Sequence, residues 1–370
     1  MKRLIVFIID GLPGGGAERI ILTLARGLIN LGHDVIVLSL DDRCDYPIPE
    51  GVIYIVSNDT GNRGLFRRIN EIRRRALSLS LAFSEIEKKY GRPDLVLSNL
   101  HKTDRIVSKA KLSKKYNLWF CIHGVFSRSY LNGKSGISYL LKKIKIKSVY
   151  DDQKLVCVSN AVSDDMITNV GVKPSLLKTI YNPFDIDSLK KLSEEKNPYE
   201  GQNYVLHIGR FHEVKRHDRL LEAFCIADIP AKLIILGQGD SSTTLLIKNK
   251  IIDLGITDKV VLAGFIDTPL PIIRGAKMLI LSSDSEGLPG VIIESLICGT
   301  PVVSTACPGG VMEIMSHELS AFTSQLNSED LAEKIKLVWD SPYKIHRKMF
   351  EKFDSKLILN EYLSLINHNK

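Results

Sequence analysis

The feature that most constrains this chain is the alternation of short apolar runs with longer amphipathic segments. Residues 2–9 read as a buried strand. Residues 17–31 have helical periodicity, with Ile20, Ile21, Leu24 and Leu28 on one side. Residues 35–40 read as a strand again, and the order repeats through 95–98, 118–122 and 155–159. A second series has strands over 204–208, 232–236, 260–263, 278–281 and 301–304, separated by helices of about 10–15 residues. Continuous apolar strands with helical crossovers predict parallel sheets covered on both faces. The polar stretch 182–202, with Pro183, Pro198 and Gly201, reads as the linker between the series. The expected fold class is therefore α/β, as two Rossmann-like doubly wound domains facing across a cleft. Ligands of such sheets bind at the carboxyl ends of strands.

The length of 370 residues fits two domains, and 44% apolar with 25% charged residues is ordinary for a globular chain. Six cysteines, at 44, 121, 157, 225, 298 and 307, include no CxxC pair and read as reduced thiols. The apolar run 4–9 ends at Asp10, too short for a signal-peptide core or a membrane span, so a cytoplasmic protein is expected. The net charge of +8 is unevenly placed: residues 1–60 carry −3, residues 61–150 carry +16, and residues 151–370 carry −5. The basic excess includes Arg67, Arg68, Arg73, Arg74, Arg75 and the run Lys142, Lys143, Lys145, Lys147. In 137–150 the lysines interleave with Leu140, Leu141, Ile144 and Ile146. This is either a solvated helix face or a contact for an anionic membrane surface or phospholipid-like acceptor. No nucleic-acid-binding signature accompanies it.

Four motifs stand at predicted strand ends. The glycine loop 11–16 opens the first helix, either as a bare turn or as a close approach to a ligand at a helix N-terminus. It fails the G-x-G-x-x-G pattern, because Arg19 stands at the third glycine. His123-Gly124 ends a strand, where a histidine is either structural or a neutral partner for a sugar hydroxyl. Arg210 and Lys215, five apart after the first strand of the second series, can face one anion. The richest element runs from Ser282 to Glu294. Glu286 and Glu294 are candidate acceptors for paired hydroxyls, and the Gly287 and Leu288 amides are candidate phosphate donors, with Pro289 in the first helical turn. Asp185-Ile-Asp187 matches a D-x-D pattern but lies in the linker, so no metal is expected.

These residues resemble a retaining glycosyltransferase of family 4, the group 1 type with a GT-B fold and the Glu-x7-Glu element Glu286…Glu294. The Glu-Gly-Leu-Pro form is similar to that of bacterial surface-polysaccharide members. The resemblance implies that Glu286 contacts the donor sugar, Glu294 the ribose, Arg210 and Lys215 the diphosphate, and that His123 sits by the sugar. It implies Gly15 and Gly16 between acceptor and donor phosphate, and Gly264-Phe265 along the nucleobase. The family's Lys-Gly is here Lys215-Arg216, a departure at the helix entry. The domains expected are 1–182 on the acceptor side, 183–344 for the nucleotide sugar, and 345–370, with a last helix over about 345–366 crossing back to the first domain. Domain closure about residues 182–187 is the expected gating motion.

The activity implied is transfer of a hexosyl or N-acetylhexosaminyl unit from a nucleotide diphosphate sugar, UDP first and GDP second, with retention and no cofactor. The acceptor implied is a lipid-linked or lipopolysaccharide glycan, in lipopolysaccharide, O-antigen or capsule assembly. The enzyme is then peripheral on the inner face of the plasma membrane. Three other readings stay open: a nucleotide-sugar epimerase of the same fold, a pyridoxal phosphate phosphorylase, and a non-catalytic subunit.

Overall fold

The computed structural model describes residues 1–57 and 67–368, without the side chains of residues 67–69. Two compact units result: residues 1–183 with 355–370, and residues 184–354. The first is built on strands β1 (Leu4–Ile9), β2 (Asp34–Ser39), β3 (Ile53–Val56), β4 (Leu95–Asn99), β5 (Leu118–Ile122), β6 (Lys154–Cys157) and β7 (Leu176–Thr179). They form one parallel sheet in the order β3-β2-β1-β4-β5-β6-β7. The second unit has β8 (Tyr204–Ile208), β9 (Lys232–Leu236), β10 (Val260–Gly264), β11 (Leu279–Leu281), β12 (Val302–Thr305) and β13 (Thr323–Ser324). Its parallel order is β10-β9-β8-β11-β12-β13.

Both sheets therefore reverse direction beside their first strand, between β1 and β4 and between β8 and β11. At such a switch point the connections leave on opposite faces, and the strand ends lie open to ligand. The central strands β1, β4 and β5 are buried throughout, which is why they read as unbroken apolar runs. Strands β3, β7 and β13, which the apolar pattern did not reveal, all lie at the outer side of a sheet. β3 and β7 are only half-buried, and β13 has two residues.

Two expectations are corrected. The linker stretch 182–202 contains a helix, Ile186–Leu192, whose N-cap Asp185 accepts from the Ser188 amide at 3.1 Å. That carboxylate is a cap, as its position before a helix favours. The last helix does not start at 345 but covers Ser355–Ser364. Ahead of it, two 3-10 turns, Arg347–Met349 and Glu351–Phe353, belong to the second unit. Buried Phe350 and Phe353 anchor them, and the Phe353 carbonyl accepts from the Phe184 amide at 2.9 Å.

The Ser355–Ser364 helix packs into the first unit. Ile358, Leu359, Tyr362, Leu365 and Ile366 join its core, and Asn117 Nδ2 donates to the Leu365 carbonyl at 2.9 Å. Leu359 sits over Gly27 of the Gly16–Asn30 helix, where a Cβ would come within 2.6 Å of Leu359 Cδ1. Leu359→Ala should cost about 3 kcal/mol in urea unfolding, and Gly27→Val should lower stability by wedging the same contact.

Several titratable groups are buried with the fold. Burial holds His101, His123 and His217 down to about 4 and also holds His207 well below the usual histidine range. Asp104 is pushed up to about 7 by burial, against hydrogen bonds from Ser98 Oγ (2.5 Å) and Tyr150 (2.7 Å). As pH falls from about 6.5 towards 4, the unfolded histidines take protons that the folded ones refuse, so stability falls. Asp104 opposes this, because over the same range the folded carboxyl holds a proton that the unfolded one has lost. Four groups outweigh one, so the melting temperature should drop by several degrees between pH 7 and pH 5. Asp104→Asn should steepen that drop, as calorimetry across the range would show.

Candidate active site

In the second unit the site grows from the ends of β8 and β11, neighbours in the sheet. After β8 the chain passes Gly209 and Arg210 and makes a 3-10 turn, Glu213–Lys215. The turn lies close on the sheet because glycine stands at 237 and 239. A Cβ at Gly237 would strike the Gly209 carbonyl, and one at Gly239 would strike Phe211. The Lys215 stem passes over Gly209, whose missing Cβ would lie 3.4 Å from Lys215 Cδ.

Lys215 Nζ meets Glu286 Oε1 at 2.6 Å, and Ser283 Oγ donates to the same oxygen at 2.6 Å. Both charged groups are mostly shielded, at 20% and 14% side-chain exposure, so water screens them less than a surface pair. The second carboxylate oxygen, Oε2, receives no protein donor among the described residues. Arg210 is exposed and has no ion-pair partner among the described residues. The site thus holds a neutralised pair and one uncommitted guanidinium.

Around this pair the two loops are tied together by residues that motif reasoning did not select. The Asp284 amide donates to the Val214 carbonyl (2.8 Å), and Ser282 Oγ to the Lys215 carbonyl (2.8 Å). Arg219, buried, donates to the Ser282 carbonyl (2.8 Å) and pairs with Asp284 (2.8 Å). Arg216 pairs with Asp218 (2.7 Å) and with Asp284 (3.1 Å). Arg216 also has φ +49° and ψ +56°, the left-handed region. The helix entry that the Lys215-Arg216 departure put in question is therefore made with glycine's backbone conformation but an arginine's side chain. The left-handed region costs a non-glycine residue roughly 1–2 kcal/mol. The paired side chain offsets that cost. The only sequence signal for this tie was the departure itself.

Beyond the loop, the helix is Gly290–Cys298, with Pro289 as its N-cap and not in its first turn. Gly287 and Leu288 therefore precede the helix, and the Gly287 carbonyl accepts from the Gly310 amide at 2.8 Å. The Leu288 side chain is buried, and Glu294, in the second helical turn, is 6% exposed. Gly264, at the end of β10, has φ +76°, and Phe265 beside it is half-exposed.

In the first unit, the glycine loop follows β1. Gly14 is left-handed at φ +86°, Gly15 is the N-cap of the Gly16–Asn30 helix, and a Cβ at Gly15 would collide with the Glu18 carboxylate. At Gly16 a Cβ would meet nothing within 4 Å. A Cβ at Gly15 would displace only the end of the Glu18 side chain. His123 follows β5, and its Nε2 lies 3.0 Å from Asn99 Oδ1. Asn99 Nδ2 donates to the Leu97 carbonyl at 3.0 Å, which fixes its amide so that Oδ1 accepts. His123 therefore carries its proton on Nε2 and leaves Nδ1 as an acceptor, and burial keeps the ring neutral. Asn99, another residue the motifs missed, sets the tautomer.

Comparison with known proteins bears on this arrangement. Residues 14–188 match the model described as Glycosyltransferase Family 4, and residues 189–356 match Glycosyl transferases group 1. The chain is 24% identical over 364 residues to N-acetylgalactosamine-N,N'-diacetylbacillosaminyl-diphospho-undecaprenol 4-alpha-N-acetylgalactosaminyltransferase of Campylobacter jejuni, covering 95% of this chain and 96% of that one. It is 28% identical over 177 residues to lipopolysaccharide 1,6-galactosyltransferase of Escherichia coli, covering 46% and 47%. Among solved structures, Anabaena Alr3699/HepE in complex with UDP and glucose superposes with a TM-score of 0.80 at 18% identity, covering 98% of this chain and 99% of that one. The two units, each with its own Rossmann-like parallel sheet, are those of the GT-B fold, and the chain belongs to the group 1, family 4 glycosyltransferases.

Proposed function

We propose that this glycosyltransferase moves a hexosyl or N-acetylhexosaminyl unit from a UDP-sugar to a lipid-linked or lipopolysaccharide glycan, with retention and without a metal. In this reading it builds bacterial surface polysaccharide as a peripheral protein on the cytoplasmic face of the plasma membrane. The observation that carries it is the Lys215–Glu286 pair at the switch point of the second sheet, with Arg210 on the same loop after β8 and without an ion-pair partner among the described residues. A diphosphate leaving group needs cations, and a bound sugar needs hydroxyl acceptors. One pair of adjacent loops offers both. The Campylobacter relative, named for a diphospho-undecaprenol acceptor, and the HepE complex with UDP support the choice of partners.

Bond breaking at the anomeric carbon sends the C–O electron pair to the diphosphate, where Arg210 and Lys215 stabilise the growing charge. The acceptor oxygen forms the new bond on the same face, and its proton passes to the leaving phosphate oxygen. Glu286 Oε2 accepts from a donor-sugar hydroxyl, and Glu294 from the ribose. His123 Nδ1 accepts from a further sugar hydroxyl, Phe265 lines the base, and the Leu288 and Gly287 segment meets phosphate. Gly15 and Gly16 keep the first loop low beside the substrates, and Gly16, which nothing among the described residues crowds, is the position kept open for them.

Three measurements test these roles. Glu294→Ala should weaken UDP binding in calorimetry, whereas Glu286→Gln should lower turnover about a hundredfold with UDP affinity nearly kept. Normal transfer by both variants would remove the assignment, and conversion of the donor without any acceptor would point to epimerisation. Gly16→Ala should fold as the parent does and lose turnover. Arg216→Gly and Arg216→Ala should both lose about tenfold or more in kcat through the loosened loop. The alanine variant should be the less stable of the two by about 1 kcal/mol, so urea unfolding separates the backbone effect from the side-chain effect.

A further inference from the structure

We propose that His101 accepts a hydrogen bond at Nε2 from a hydroxyl of the acceptor sugar, and that Asp104, acting through Tyr150, sets the ring to receive it. This rests on the reading above that the enzyme transfers to a glycan. β4 ends at Asn99, and His101 opens the helix His101–Ala110 at the carboxyl end of that strand, beside the switch point of the first sheet. Leu100 between them stands at φ +72° and ψ +136°, a conformation that a leucine rarely adopts. Such strain persists where surrounding contacts enforce it, and it collects at ligand sites. Here those contacts form a chain of hydrogen bonds. Ser98 Oγ donates to Asp104 Oδ1 at 2.5 Å, Tyr150 donates to Oδ2 at 2.7 Å, and His101 Nδ1 lies 2.9 Å from the Tyr150 oxygen. Asp104 is wholly buried and meets no cation among the described residues. A carboxylate so placed is a poor stabiliser, and an apolar side chain of similar volume would serve packing better.

The chain has one direction. An ionised carboxylate holds no hydrogen, so the single hydrogen of Tyr150 goes to Asp104. The phenol oxygen then accepts from His101, which carries its proton on Nδ1. Burial keeps the ring neutral, and the nearby Arg105 and Lys142 cations oppose its charging. Nε2 is left as a lone pair with no partner among the described residues. Phe126 packs edge-on to the ring at 5.3 Å and Tyr130 lies tilted at 4.8 Å, which holds its orientation. A lone pair selects a hydrogen-bond donor. The oxygens of a diphosphate ester bring none, whereas each sugar hydroxyl brings one. In the proposed site the donor sugar already has Glu286 and His123, so His101 is assigned to the acceptor. Asp104 also sets the pH range. Its carboxyl is pushed up to about 7 by burial, while burial keeps Cys121, Cys157 and Tyr130 protonated there. Below that value Asp104 need not accept from Tyr150, and the direction of the chain is no longer enforced.

Long-range proton–nitrogen NMR of the imidazoles, on the full chain with UDP present, tests this. Above the Asp104 value of about 7, His101 should carry hydrogen on Nδ1 and none on Nε2. Tyr150→Phe and Asp104→Asn should each turn it into a mixture of tautomers. Methyl glycosides of galactose, glucose and their N-acetylamino sugars serve as probes. At least one should shift the His101 Nε2 signal, and less so as the pH falls below 7. His101→Phe should weaken that glycoside about tenfold, and His101→Gln, whose amide oxygen reaches the place of Nε2, should weaken it less. Calorimetry with UDP checks that each variant is folded, and if Tyr150→Phe is not, Asp104→Asn carries the test. Hydrogen on Nε2 in the parent, a tautomer untouched by the folded variants, or no glycoside that shifts His101 overturns the proposal. Normal transfer by the Glu286 and Glu294 variants would remove the donor site alone, since the His101 signals are read without turnover.

Discussion

The contact between Lys215 and Glu286 organises the second unit's chemistry. It exists because β8 and β11 are neighbours in the sheet, although 70 residues of chain lie between Ile208 and Leu279. The doubly wound order brings their ends together, and the glycines at 209, 237 and 239 let the first loop lie low enough for the lysine to reach across. Once formed, the pair leaves no net charge behind its partly shielded walls. A lone shielded cation or carboxylate would be costly. The ammonium has further hydrogens to donate, and Oε2 of the carboxylate receives no protein donor among the described residues.

Much of this was legible in the sequence, and the boundary has a physical cause. Strands at the centre of a parallel sheet are buried on both faces, so β1, β5 and β8 announce themselves as apolar runs. Outer strands such as β3 and β7 have less burial to advertise. The motif residues Arg210, Lys215, Glu286 and Glu294 follow the strand ends that pattern reading identified. The residues that hold them were not legible. Asp284 and Arg219 acquire meaning only when two distant loops meet, and Asn99 only when its amide lies beside His123. Likewise, a run of residues from 345 onward can read as one helix, yet Phe350 and Phe353 find their burial in a different unit from Leu359.

The charge map was legible as a total and misleading in detail. A segment charge of +16 over residues 61–150 counts every lysine and arginine alike. The structure sorts them. Arg75 is buried against Asp10 and the Leu40 carbonyl, and Lys147 is tied to its own unit. What remains on the Gly136–Tyr150 helix is a smaller set of cations around an exposed apolar row. Sequence periodicity alone cannot say which of two opposed apolar sides a helix will bury, because both satisfy the same spacing. Only the packing of Ile146, Val149 and Tyr150 leaves the other side outward.

The two units also divide the polar chemistry between them by kind of charge. At the end of β8 the second unit offers cations, Lys215 paired with Glu286 and Arg210 without an ion-pair partner among the described residues. At the ends of β4 and β5 the first unit offers uncharged partners. Burial keeps His101 and His123 neutral, and it holds a proton on Asp104 up to about 7. His123 presents a lone pair whose position Asn99 dictates. A charged imidazole there would be a donor at both nitrogens and would lose that lone pair. The neutral ring follows from burial at a strand end, a property of the fold before it is a property of any site.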